Sequence, residues 1–258
     1  MTDKVRPKKQ LGQHFLTHLP TAQKIVDALT GYGGYTQVLE VGAGMGVLTK
    51  FLLQKPEFKV SVAEIDQESV QYLQKNFVDL PILQGDFLKM DLTNFAPNFG
   101  VIGNFPYNIS SQIVFKIIDN RTQIPEMVGM FQREMAQRIA EPPGTKTYGI
   151  ISVLTQAFYE VEYLFTVSEG VFNPPPKVKS AVIRLKRKEI EPDCDLNLFR
   201  LVVKTAFNQR RKMLSNSLKV YMPDVPSKFL NERPEQLSLA QFVEIVKCIS
   251  AAKAIQNA

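Results

Sequence analysis

The chain contains no tryptophan, two cysteines and two histidines in 258 residues. Cys194 and Cys248 are too few and too isolated for a disulfide framework or a zinc cluster, and both read as structural thiols. With His14 and His18 as the whole imidazole inventory, no metal site is expected. No apolar run reaches the roughly 20 residues of a membrane span, and Met1-Thr2-Asp3-Lys4-Val5-Arg6 lacks the apolar core of a secretion signal. A G-x-x-x-x-G-K-S/T phosphate loop is missing, as are internal repeats and low-complexity stretches. These absences predict a soluble, cytoplasmic protein with no membrane partner.

An apolar content of 45% argues against disorder, and the length suits one large domain with a smaller attachment. The net charge of +6 is unevenly spread. Residues 186–258 hold 13 Lys and Arg against 8 Asp and Glu, whereas residues 1–185 hold 18 against 17. Within residues 1–9, Lys4, Arg6, Lys8 and Lys9 face Asp3 alone. A near-neutral body with basic flanks suits a polyanion such as nucleic acid, although solubility charge has the same look.

Thr36 to Thr49 read as a buried strand, a glycine-rich turn through Gly42, Gly44 and Gly46, and the start of a helix. Val47 stands where a dinucleotide fingerprint wants its third glycine, which disfavours a pyrophosphate and leaves a phosphate-free cofactor such as S-adenosylmethionine. Val60 to Ala63 predict a second strand running into Glu64, about 20 residues past the loop, where an acid can grip two ribose hydroxyls. Ile82 to Asp86 predict a third, with Asp86 placed to accept from an adenine amine.

Asn104-Phe105-Pro106-Tyr107 follows the apolar strand Val101-Ile102-Gly103 and precedes a helix-like run at Ile113–Ile118. An exocyclic adenine amine is a poor nucleophile because its lone pair is delocalised into the ring. The Asn104 side-chain oxygen and the Phe105 carbonyl, accepting both amine hydrogens, draw that pair back onto nitrogen. Pro106 fixes its own φ and biases Phe105 to extended backbone, and Tyr107 offers a face for stacking. A plain proline turn has the same sequence. Phe172, before the stiff run Asn173-Pro174-Pro175-Pro176 and the strand Ser180–Leu185, is either the second wall of a base clasp or a hydrophobic plug. Phe207 to Lys219 predict one helix with an apolar stripe at Phe207, Leu214 and Leu218 and a cationic face that is either solvated or RNA-facing.

Taken in order, Leu11-Gly12-Gln13-His14-Phe15-Leu16, the glycine loop, Glu64-Ile65-Asp66, Gly85-Asp86, Gly103 to Ser110, Phe172 to Val178 and Gln209-Arg210-Arg211-Lys212 resemble the small-subunit ribosomal RNA adenine N6,N6-dimethyltransferase family, over roughly residues 8–218. The resemblance implies an α/β fold: a Rossmann-like methyltransferase domain, here bounded at 1–188, and a small all-helical carboxyl-terminal domain, 189–258, that binds RNA. It implies S-adenosylmethionine as donor, with S-adenosylhomocysteine as product. It further implies, as acceptor, two adjacent adenosines in the last hairpin of small-subunit rRNA in an immature subunit, and a monomeric enzyme. Cofactor contacts then fall at His14, Leu16, Gly42, Gly44, Glu64, Asp86 and Asn104, and the target base lies near Asn104, Tyr107 and Phe172. Lys8, Lys9, Lys177, Lys179, Arg210, Arg211 and Lys212 are the candidate RNA contacts. His14 replaces a frequent asparagine, Phe105 a common leucine and Lys179 a frequent acid. Large-subunit rRNA as acceptor, or an assembly factor in which binding outweighs catalysis, stand as alternatives.

Overall fold

A computed structural model of the protein describes residues 5–93 and 95–256; Lys4, counted in the basic amino-terminal arm, lies outside them. The chain forms two compact units, one running up to Ala136 and resuming at Val161–Arg187, the other built from Gln137–Glu160 and from Lys188 onward. The second unit therefore draws in about two dozen residues that lie ahead of the boundary expected at 188.

The first unit is organised by a seven-stranded sheet. Its strands are β2 (Gln37–Val41), β3 (Lys59–Glu64), β4 (Ile82–Gln84), β5 (Phe99–Asn104), β6 (Glu126–Gln132), β7 (Tyr159–Val167) and β9 (Ser180–Arg187), in the spatial order β4-β3-β2-β5-β6-β9-β7. The strands β2 to β6 pair in parallel, and β9 runs antiparallel to β6. Two short strands, β1 (Phe15–Leu16) and β8 (Phe172–Asn173), form a separate antiparallel ribbon. The near-continuous apolar runs of β5 and β6 are buried along almost their whole length, as parallel strands covered on both faces require.

The chain leaves β2 outward through β3 and β4, then returns to β2's other side with β5. That reversal opens a crevice at the carboxyl ends of β2 and β5, where open α/β sheets bind ligands. The glycine loop begins immediately after β2, and Asn104 is the last residue of β5, so the expected strand ends are the observed ones. The helix Ser110–Asp119 follows the Asn104 motif and buries Ile113, Val114, Ile117 and Ile118 at helical spacing.

In the second unit the helices Ile150–Phe158, Leu196–Asn208 and Leu239–Gln256 pack together, with the Phe207 ring stacked on Phe242 at 6.1 Å and edge-on to Tyr148. Asp195 caps the second of these, its carboxylate accepting from the Asn197 and Leu198 N–H groups. The single helix expected over Phe207–Lys219 is broken. The long helix stops at Asn208, a turn closes when Lys212 N–H donates to the Gln209 carbonyl, and a short helix resumes at Leu214–Ser217. Phe207, Leu214 and Leu218 are nonetheless all buried, because the turn carries the chain back onto the same core.

Candidate active site

The crevice holds a cavity of about 290 Å³ lined by the glycine loop, the ends of β3 and β5, Gly85–Leu88 and residues 10–15. Gly42 and Gly44 have left-handed backbone, φ 73° and 56°. A Cβ on Gly44 would come 2.7 Å from the Phe15 ring, so the loop can lie against the β1 segment only without a side chain. A Cβ on Gly42 would meet nothing within 4 Å, because that position opens onto the cavity.

Glu64, at the end of β3, is 3% exposed. Its Oε2 accepts from Gly44 N–H at 2.9 Å and its Oε1 from Asp66 N–H at 2.9 Å. Burial pushes its pKa up, and these backbone donors counter the shift. The carboxylate thus pins the loop and retains lone pairs for a diol. Asp86 uses Oδ1 to cap the Leu88 N–H at 3.0 Å, which leaves Oδ2 for another donor. Backbone approach at Gly42, one acid at each of two successive strand ends and an otherwise largely apolar lining fit an adenosine cofactor without phosphates.

At the end of β5 the Asn104 Nδ2 donates to the His14 carbonyl at 2.9 Å. That bond settles the amide orientation and leaves Oδ1 as its acceptor end. The Phe105 N–H donates to the Met130 carbonyl, while the Phe105 carbonyl takes no hydrogen bond from the described residues. The Phe105 ring is 1% exposed, packed against Phe131 at 5.0 Å. Glycine on both sides makes the slot: a Cβ at Gly103 would come 2.6 Å from that ring, and one at Gly129 2.3 Å. The Phe105 ring therefore fills space left by two glycines of neighbouring strands. The Tyr107 hydroxyl meets Ser180 Oγ at 2.6 Å, and the His14 ring stacks on Tyr107 with centroids 5.4 Å apart while its Nδ1–H donates to the Pro174 carbonyl at 2.8 Å. Burial raises the Tyr107 pKa against the pull of Ser180, which keeps the phenol neutral.

Two expected site residues lie outside the cavity lining. Phe172 is 4% exposed and belongs to the apolar core, pairing as β8 with Leu16 of β1. Leu16 is likewise buried and lines a small void together with Glu40 and Asn104. Among the cations, Lys8 is paired with Asp66 and Glu68. Arg210 donates to the Thr145 and Lys146 carbonyls and lies 3.9 Å from Glu235, which ties down a loop of its own unit. Lys9, Lys177, Lys179, Arg211 and Lys212 are exposed.

The sequence reading passed over Glu40. This residue is 1% exposed, accepts from the Thr49 hydroxyl at 2.5 Å, and is pushed up to about 8 by burial. An acid inside the otherwise apolar run of β2 was the available signal. Lys116 was missed as well. Its ammonium donates to the Leu88 and Met90 carbonyls at 3.1 and 2.5 Å, holding the turn after Asp86, and burial lowers its pKa.

A family profile described as "Ribosomal RNA adenine dimethylase" matches residues 4–251. A protein named "Ribosomal RNA small subunit methyltransferase A" from Parabacteroides distasonis is 56% identical over 249 residues, covering 93% of each chain. Among solved structures, a dimethyladenosine transferase from Plasmodium falciparum superposes with a TM-score of 0.78 at 25% identity, covering 93% of this chain and 98% of its own. The 23S rRNA methyltransferase ErmE superposes at 0.70 and 24% identity, covering 90% and 99%.

Proposed function

Because the chain belongs to the ribosomal RNA adenine dimethylase family, we propose that it dimethylates the N6 amines of two adjacent adenosines in the 3'-terminal hairpin of small-subunit rRNA. When bound, S-adenosylmethionine would supply a sulfonium methyl group that the amine attacks in line, with S-adenosylhomocysteine as the leaving group and the amine proton lost to solvent. The protein's part is to hold and polarise. Asn104 Oδ1 and the Phe105 carbonyl accept the two amine hydrogens and localise the lone pair on nitrogen. The one observation that carries this reading is the Asn104 amide, locked by the His14 carbonyl so that its oxygen is the end left to accept. Tyr107, braced by Ser180 and His14, supports the base by stacking. Glu64, Gly42 and Asp86 hold the cofactor's ribose and adenine. No covalent intermediate is invoked, and burial holds the Cys194 thiol up and unreactive.

The exposed cations Lys9, Lys177, Lys179, Arg211 and Lys212 support contacts to the RNA backbone, and the helical second unit is the RNA-binding attachment in this reading. The setting is an immature small subunit in the cytoplasm, with the protein acting as a monomer. Among the described residues no helix is long and apolar enough to cross a membrane. Transfer of labelled methyl groups to unmethylated small subunits, with the product mapped, tests the proposal. Dimethyladenosine at two adjacent positions of the terminal hairpin is expected. Transfer to large-subunit RNA instead would keep the chemistry and overturn the substrate.

A further inference from the structure

Residues 8–14 form a strap over the cofactor cavity, and Gln10, Leu11, Gly12, Gln13 and His14 all line it. Its shape is internally fixed. The Lys8 carbonyl accepts from Leu11 N–H at 3.0 Å and Gln13 N–H at 3.4 Å, and Lys8 N–H donates to Gln13 Oε1 at 2.8 Å. Gly12 turns the chain with φ 63°, where a Cβ would come 2.7 Å from Asn108 Oδ1. One end of the strap is held at the β5 motif, by Asn104 Nδ2 on the His14 carbonyl. The other end crosses to the segment after β3. There the Lys8 ammonium pairs with Asp66 Oδ1 and, at 3.2 Å, with Glu68, while Gln13 Nε2 donates to Asp66 Oδ2 at 3.4 Å. Asp66 is only 3% exposed and also accepts from the Ser69 hydroxyl at 3.0 Å.

Neither Lys8 nor Asp66 lines the cavity, so neither acts by touching the cofactor. Two methyl groups on one amine require spent cofactor to leave and fresh cofactor to enter between transfers. Five consecutive residues of the strap, Gln10 to His14, line that cavity. We propose that Lys8 and Asp66 are positioning residues whose ion pair latches the strap across the cavity, so that cofactor exchange requires the pair to open and its strength sets the rate at which product cofactor leaves. Burial of Asp66 makes the latch stronger than a surface pair, because solvent screens it on the Lys8 side alone.

The test is release of S-adenosylhomocysteine from the full chain by stopped flow, without RNA, so that a lost RNA contact cannot move the result. Lys8→Met keeps the aliphatic stem and leaves Asp66 its bond to Ser69; Asp66→Asn removes the charge from the other side; Lys8→Arg restores a cation. The first two are expected to speed release by roughly three- to tenfold, the loss of a charge-assisted hydrogen bond to a largely buried carboxylate. Lys8→Arg should return release to near the wild-type rate. Release within about twofold of wild type in both Lys8→Met and Asp66→Asn would overturn the latch. Should Asp66→Asn fold poorly, Lys8→Met with its Lys8→Arg control carries the decision alone.

Discussion

Phe172 is an aromatic ring before a proline run that is 4% exposed and packed in the apolar core. Phe172→Ala is therefore expected to cost about 3–5 kcal/mol in urea denaturation, the range for emptying a buried aromatic site. A ring that served as an open wall would cost less than about 1 kcal/mol. Glu40 makes a pH-dependent prediction. Its folded-state pKa of about 8 stands above the ordinary carboxylate value, so the folded protein binds the extra proton in between. Stability contributed by this group is full below the carboxylate range and is lost as pH rises towards 8. Wild type should lose more stability than Glu40→Gln between about pH 5 and pH 8, by roughly 1–3 kcal/mol. Equal pH slopes in thermal melts of the two proteins would remove Glu40 as the cause.

At the scale of elements, the catalytic turn is held by the strands beneath it. Gly129 of β6 sits opposite Gly103 of β5, and the Phe105 ring occupies the gap above both. Gly129→Ala places a methyl 2.3 Å from that ring and must shift it. We expect about 1–3 kcal/mol of destabilisation and a loss of roughly 100-fold in methyl transfer, since the Phe105 carbonyl moves with its ring. Adding Phe105→Leu should recover part of both, and a double variant no better than the single would show that the ring is not the point of conflict. The strands β2, β3, β4, β5 and β9 were legible in sequence as apolar runs, the first three followed by glycine or acid. The β1–β8 ribbon was not, because two residues per strand give no period to detect. The break at 209–213 was hidden for the opposite reason: the apolar stripe at Phe207, Leu214 and Leu218 continues on both sides of it. Lys8 and Asp66 lie 58 residues apart, and only the fold makes one cation a latch and not an RNA contact.

For the whole molecule, the charge asymmetry separates cations that fold the protein from cations left for a polyanion. Arg210 spends its guanidinium on the Thr145 and Lys146 carbonyls, whereas Arg211 and Lys212 next to it are exposed. Lys212→Ala is expected to reduce the slope of log affinity against log salt by roughly one for small-subunit RNA. Arg210→Ala should leave that slope and lower the unfolding midpoint; the reverse pattern would exchange their roles. The proposed chemistry turns on one amide, Asn104, where the end of β5 meets the strap. The most direct measurement is the single-turnover methyl-transfer rate of Asn104→Ala at saturating S-adenosylmethionine on unmethylated small subunits. A fall of about 100- to 1000-fold is predicted, the size expected for removing one preorganised hydrogen-bonding group from the reacting atom. A rate within about tenfold of wild type would contradict it, because the amine would then be activated without the Asn104 oxygen.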